Sequence, residues 1–462
     1  MKRIIVCVLA CLLLACAAGC AAEQGAGQVL SATLTTIVDG DGQKPWMLLL
    51  DYGEELAAEA VSEQDYAVEG YEIAAVYVTD ERTAPCQSAS GRYVCIELSL
   101  DYTNPGYTTL RDGESGIGGE DRGERPADAG NPLQRPGSEN GMGGGMPAGG
   151  MSAGGMEIVS VLSNQLCVTW KQVSGITAVD GTVFEANQTG TTVYTENENL
   201  LVDDFSQLVF TCADGTELMV NSYVPVCADG SELLPLMLFM PDATGEGNDP
   251  VLTLTESKGA VIFASEESQQ EHPCIVLAPQ YVSANSSNPE YTIELLQAIM
   301  EAYPVDQNRV YLSGQSSGTI RAIKMMIDHP DLFAAAMLVA GQADAAYEDR
   351  LAELSGQSIW MLCSAGDQRA YPGMTAIQEA VSAAGTQVIQ GEWSARLPIE
   401  EQNRLSSEMI SDDCSFYWTV FDAGTVMRED TPVSAVTEHM NTWRVAFDVE
   451  SIRDWVFDQT KE

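Results

Sequence analysis

The chain has 462 residues, 45% of them hydrophobic, which is more than one ordinary core uses and enough for two folded domains. Its 22 Lys+Arg against 67 Asp+Glu give a formal net charge of -45, a field that repels phosphate backbones and anionic headgroups and makes nucleic acid a poor partner. The charge itself reads as a solvated acidic surface with no site in it.

At the start, Met1-Lys2-Arg3 and the apolar run from Ile4 to Ala18 have the charged head and greasy middle of a secretory signal. The run ends in Ala17-Ala18-Gly19-Cys20, which resembles the lipobox at which bacterial lipoproteins are cleaved and lipidated. Residues 1–20 are therefore expected to be removed up to the lipidation residue Cys20, with Leu13-Leu14-Ala15-Cys16 as a second candidate. No later stretch reaches the ~18 consecutive apolar residues of a membrane span. The expectation is an exported protein held on the cell surface by an N-terminal lipid and otherwise soluble.

Eight of the 12 cysteines lie beyond the signal. An oxidising compartment permits disulfides, and two local pairs across turns are expected, Cys86 with Cys95 and Cys212 with Cys227. No cysteine pair has metal-ligand spacing and there are three histidines, so no zinc site is expected.

From Ser31 to about Leu201 the segments are short, rich in Val, Ile, Thr and Tyr, and punctuated by turns such as Asp39-Gly40-Asp41-Gly42 and Asp180-Gly181. They predict an all-β sandwich over residues 21–200. DGDG lacks the remaining ligands of a calcium loop and reads as a turn. Residues 112–155 break the pattern: they hold 15 of the 41 glycines and almost no bulky apolar residue, so they read as a disordered insertion that buries no core. Met142, Met146, Met151 and Met156 in or beside it read as low-complexity drift, because Gly-rich sequence holds no ligand geometry.

Residues 201–462 alternate between continuous apolar runs and helical stretches. The runs include Leu236 to Phe239, Cys274 to Leu277, Val310 to Leu312, Ala335 to Val339 and Ile359 to Leu362; the helices include Thr292 to Ala302, Thr319 to Asp328, Met374 to Ala384 and Ser451 to Gln459. This pattern predicts an α/β unit with a mainly parallel sheet and helices on both faces, with functional residues at the carboxyl ends of the strands.

Val310-Tyr311-Leu312-Ser313 runs as a strand into Gly314-Gln315-Ser316-Ser317-Gly318, and a helix follows at once. That context makes G-x-S-x-G a nucleophile elbow, its glycines needed because the serine sits on a strained turn. A serine hydroxyl needs a base. His272 precedes the elbow and His329 ends the helix leaving it, whereas His439 follows the last strand, in a predicted loop, where the base belongs. Asp367 projects beyond the strand Ile359 to Leu362 and gives the order Ser, Asp, His; Asp422, Asp412 and Asp413 are its rivals as the acid. The oxyanion donors are expected to be the backbone N–H of Ser317, at a helix start, and that of Ala243, in the loop after the first core strand.

With these residues in place, the stretch from Val202 to Gln459 resembles bacterial α/β-hydrolase esterases that carry an N-terminal immunoglobulin-like domain, including polyhydroxybutyrate depolymerase-like and feruloyl esterase-like members. The resemblance rests on Pro235 to Phe239, His272 to Tyr281, the Ser316 elbow, Gly366-Asp367 with Ala370 to Met374, and His439 to Trp443. In the front half Gly91 to Leu98 carries it, with the Gly-rich stretch as an insertion. It implies an α/β-hydrolase preceded by an all-β immunoglobulin-like sandwich, and hydrolysis of small or polymer-borne carboxylic esters without a cofactor, through Ser316, Asp367 and His439. One departure stands out. Such esterases usually have His-Gly in the oxyanion loop, where this chain has Pro241-Asp242, and a carboxylate beside the developing anion opposes it unless it points away. The alternatives are a serine peptidase of the same fold and an inactive anchored carbohydrate- or ligand-binding protein.

Overall fold

The computed structural model describes residues 27–40, 42–83, 85–100, 157–159, 166–226, 228, 232–281, 288–428 and 432–461. Cys16, Cys20, the Gly-rich segment 112–155 with its methionines, and Cys227 lie outside them. The described residues fall into two compact units: 27–35, 45–100 and 166–197 form the first, and 36–44, 157–159 and 198–461 the second.

In the first unit, Ser90–Leu98 is flanked by two strands antiparallel to it, Ile73–Thr79 and the part of Gly42–Ala57 from Pro45 onward, with Leu50 and Val78 both opposite Val94. A second sheet pairs Tyr66–Val68 and Thr189–Thr191 with the central strand Thr169–Gln172, again antiparallel. Inward residues of both sheets form one core, with Leu48, Leu50, Tyr52, Ile96, Trp170 and Phe184 among its members. Inside it the Tyr52 hydroxyl lies 2.8 Å from that of Tyr66 and 2.8 Å from Gln172 Oε1, so the polar tips of one sheet find partners on the other. The unit is the all-β sandwich that the short β-branched segments predict.

The expected local disulfides are absent at the described ends. Cys86 is exposed and free. Cys95 lies within the strand Ser90–Leu98 opposite Tyr77, packed with Met47 and Leu49, so the strand buries its thiol in a small apolar cluster while Cys86 stays exposed. Burial raises its thiol to about 12, which keeps it protonated and unreactive. Cys212 is free too, buried at the end of the strand Ser206–Thr211.

The second unit is built on a ten-stranded sheet. Its strands are β1 (Glu157–Val159), β2 (Ser206–Thr211), β3 (Glu217–Tyr223), β4 (Leu234–Met240), β5 (Ile275–Gln280), β6 (Val305–Gln315), β7 (Ala335–Val339), β8 (Ile359–Ser364), β9 (Ile389–Trp393) and β10 (Phe416–Phe421), lying in the order β9-β10-β8-β7-β6-β4-β5-β3-β2-β1. The pairs from β9 to β5 are all parallel, and β3, β2 and β1 continue the sheet antiparallel. Every residue of β4, β5, β7, β8 and β10 is buried, as the unbroken apolar runs require when both faces of a parallel sheet are covered.

The helices include α1 (Pro289–Ala302), α2 (Ser317–Asp328), α3 (Ala370–Ala383), α4 (Ile399–Met409), α5 (Ala435–Ala446) and α6 (Glu450–Asp458). The chain steps from β4 to β5 on one side, then crosses back to lay β6 on the other side of β4. That reversal opens a crevice beyond the carboxyl ends of β4 and β6, where open α/β sheets bind their ligands. Residues 241–247 and Ser316 both leave the sheet there. This is the α/β-hydrolase architecture.

Candidate active site

β6 ends at Gln315 and α2 begins at Ser317, so the one residue between them, Ser316, must turn the chain. It does so at φ 51° and ψ -118°, a conformation that costs an L-residue about 1–3 kcal/mol and persists only where its surroundings enforce it. The enforcing contacts are present. The Ser316 N–H donates to the Val339 carbonyl at 3.0 Å, and the Thr319 hydroxyl lies 2.8 Å from the carbonyls of both Gly314 and Val339. A Cβ on Gly314 would sit 2.9 Å from the Gly318 backbone, and one on Gly318 would collide with the carbonyl oxygen of Met240. The two motif glycines thus let α2 rest directly on the end of β4.

Gly318→Ala is accordingly expected to push α2 off β4 and displace Ser316. A shift of about 1 Å at a reacting centre lowers rates on the order of 100-fold. Steady-state kinetics on the variant, with its melting temperature beside it, check this; unchanged kcat/KM would show that the close approach is not needed.

Beyond the elbow the three expected residues meet. Ser316 Oγ is 2.8 Å from His439 Nε2, and His439 Nδ1 is 2.5 Å from Asp367 Oδ2. Asp367 is only 1% exposed, and its other oxygen accepts the N–H groups of Arg369 and Ala370, each at 2.9 Å, at the start of α3. Burial raises its carboxyl, but the His439 hydrogen bond and charge and the two backbone donors outweigh this and hold it below the usual carboxylate value. The ionised form is the one that can orient an imidazole and stabilise its cation.

His439 corrects one expectation: it lies on α5 and not in a loop. Ser434 and Thr437 cap one another reciprocally at the helix start, and Trp443 stacks edge-on to the imidazole one turn later, at 5.3 Å between ring centroids. The other histidines are occupied elsewhere. His272 Nε2 lies 3.0 Å from Asp454 with its ring stacked on Phe457, and His329 faces Glu290 at 3.3 Å. Asp422 serves through its backbone: its N–H donates to the Trp393 carbonyl at 2.9 Å and its carbonyl holds a turn by accepting the Thr425 N–H at 3.2 Å and hydroxyl at 2.7 Å, while Asp412 and Asp413 lie exposed beyond α4.

The loop after β4 supplies the second part of the site. Ser317, first residue of α2, has no acceptor for its N–H within the helix, and Ala243 opens a short 3₁₀ turn, Ala243–Gly245. Asp242, 2% exposed, directs Oδ1 to the Gly245 N–H at 3.0 Å, so its carboxylate is engaged as the cap of this turn.

Two residues that sequence reasoning did not single out hold the loop. The fully buried Gln280, at the end of β5, donates through Nε2 to the Gly245 carbonyl at 2.5 Å, while its Oε1 accepts from the Thr253 N–H and hydroxyl at 2.8 Å each. Arg321 on α2 donates to the Pro241 carbonyl at 3.0 Å, pairs with Glu246, and lies 4.7 Å over the Tyr281 ring. A buried arginine on the apolar face of the elbow helix was the available signal. Ser316, His439 and Asp367 thus form one hydrogen-bonded chain at the crevice, next to a loop after β4 that Gln280 and Arg321 brace.

Residues 31–185 match the esterase Ig-like N-terminal domain, and residues 289–425 match the prolyl oligopeptidase family. No curated protein is significantly similar to the chain. Among solved structures, a thermostable esterase superposes with a TM-score of 0.66 at 19% identity, over 94% of this chain and all of that one. The feruloyl esterase module of Clostridium thermocellum gives 0.35 at 14%, over 53% and 87% of the two chains. Oligopeptidase B of Leishmania major gives 0.36 at 11%, over 63% and 42%. The chain is therefore a serine hydrolase of the α/β-hydrolase fold preceded by an esterase-type immunoglobulin-like domain.

Proposed function

We propose that this hydrolase cleaves carboxylic esters through an acyl-enzyme formed on Ser316. The observation that carries the reading is the unbroken hydrogen-bonded chain Ser316–His439–Asp367, at 2.8 and 2.5 Å. His439 Nε2 takes the serine proton as Oγ attacks the ester carbonyl, and the N–H groups of Ser317 and Ala243 receive the oxyanion. On collapse the imidazolium returns the proton to the departing alkoxide, which leaves as the alcohol. Water, deprotonated by the same imidazole, then releases the acid and regenerates Ser316.

The esterase-type front domain and the thermostable esterase with which 94% of the chain aligns support an ester substrate, small or carried on a polymer. A peptidase is the second reading, favoured by the match of residues 289–425 to the prolyl oligopeptidase family. An inactive binding protein has no need of the assembled triad. Turnover of p-nitrophenyl acetate with no release from aminoacyl p-nitroanilides is the expected result; the reverse preference would establish the peptidase.

We also propose that the protein is exported and anchored through a lipid on Cys20, a reading supported by the Ala-Gly-Cys ending of its apolar leader. Mass spectrometry of the mature protein is expected to find a diacylglyceryl-modified Cys20 at the N-terminus. An unmodified protein starting elsewhere would contradict the anchor.

A further inference from the structure

Glu438 precedes His439 on α5 and is 2% exposed, a setting in which a carboxylate survives only if its oxygens are well hydrogen-bonded. Its partners are the turns that end β8 and β10. Oε2 accepts the Ser364 hydroxyl at 2.6 Å, and Oε1 accepts the backbone N–H of Gly424 at 2.6 Å. Ser364 Oγ in turn accepts the N–H of Gly366, the residue before Asp367, at 3.1 Å. Two glycines make room for this arrangement. A Cβ on Gly366 would overlap the Glu438 carboxylate, and Gly424 presents its N–H from a left-handed conformation at φ 81°.

The geometric need is plain. Asp367 and His439 are 72 residues apart and come from different elements, yet their hydrogen bond of 2.5 Å tolerates little relative movement. Neighbouring residues on a helix point about 100° apart, so α5 can aim His439 at Asp367 and Ser316 while Glu438 grips the strand ends. We propose that Glu438 is the positioning residue of this site: through Ser364 and Gly366 it ties the helix carrying the base to the turn carrying the acid, and through Gly424 it fixes both to β10. The role rests on the reading of Ser316, His439 and Asp367 as the hydrolytic triad. Glu438 itself touches no substrate in it.

Glu438→Gln tests this, because an amide keeps the volume but has one acceptor where the carboxylate offers two. Ser364→Ala is the milder second variant and removes only the arm to the acid turn. Three readouts apply to the full chain: kcat and KM on p-nitrophenyl acetate, the rate at which a fluorophosphonate labels Ser316, and the downfield proton resonance of His439 Nδ1. In Glu438→Gln, kcat and labelling are expected to fall on the order of 10- to 100-fold with KM within about twofold, and the resonance to shift or broaden. Ser364→Ala is expected to move the same readouts less. Folded variants with the wild-type resonance, labelling rate and kcat would overturn the proposal. If Glu438→Gln fails to fold, Ser364→Ala decides by the same criteria. A wild-type protein that neither turns over esters nor reacts with fluorophosphonate would instead overturn the hydrolytic reading, and the resonance would still judge Glu438 separately.

Discussion

Asp367→Asn is expected to lower kcat by up to about four orders of magnitude in a protein that remains folded. The reason lies in how the carboxylate is held. Oδ1 accepts two backbone N–H groups, from Arg369 and Ala370, so an asparagine in this place keeps its carbonyl oxygen there and must turn its NH₂ toward His439 Nδ1. That amide donates to Nδ1 and selects the tautomer with the proton on Nε2, which cannot take the proton of Ser316. Circular dichroism and steady-state kinetics check the variant together. Asp422→Asn, whose native residue serves its turn through the backbone, is expected to change kcat little. Near-normal turnover in Asp367→Asn with collapse in Asp422→Asn would move the acid to the β10 turn.

A pH signature accompanies this change. The Asp367 carboxyl is held below its ordinary value in the fold, so its linkage stabilises the protein above the unfolded carboxylate pKa of about 3.9 and is lost as pH falls through the lower folded value. The stability difference between the protein and Asp367→Asn is expected to shrink over that acid window.

Ser316→Ala is expected to have the largest effect, a fall in kcat on the order of 10⁶-fold, because base and acid have no proton to move once the hydroxyl is gone. The backbone at Ser316 is fixed by Val339, Gly314 and Thr319 without help from Oγ, so the elbow is expected to stay in place. Substrate binding, read by competition or calorimetry, should therefore change little while turnover disappears. Equal losses of binding and turnover would point to a collapsed elbow instead.

The residues that meet at the crevice were legible because their constraints are local. Gly314 and Gly318 bracket Ser316 within five residues, and the runs Leu236 to Phe239 and Ile359 to Leu362 announce strands buried on both faces. With three histidines in the chain, the position of His439 after the last strand singled it out. What could not be read depends on contacts across the fold. The helix that carries His439 begins at Ser434 with a Thr437 partner and contains Val436 and Thr442, which give no strong helical pattern of their own. Gln280, Arg321 and Glu438 look like ordinary polar residues until the sheet brings Gly245, Pro241 and Ser364 against them. The expected Cys86–Cys95 bridge failed for the same reason: sequence spacing does not say that Cys95 points into a cluster with Met47 and Leu49.

Intact-mass analysis after brief reaction with a p-nitrophenyl ester and an acid quench tests most directly whether Ser316 is the acylated nucleophile. The expected result is a single acyl adduct that maps to Ser316, accompanies a burst of p-nitrophenol, and is absent from Ser316→Ala. An adduct on another residue, or turnover that survives Ser316→Ala undiminished, would contradict it.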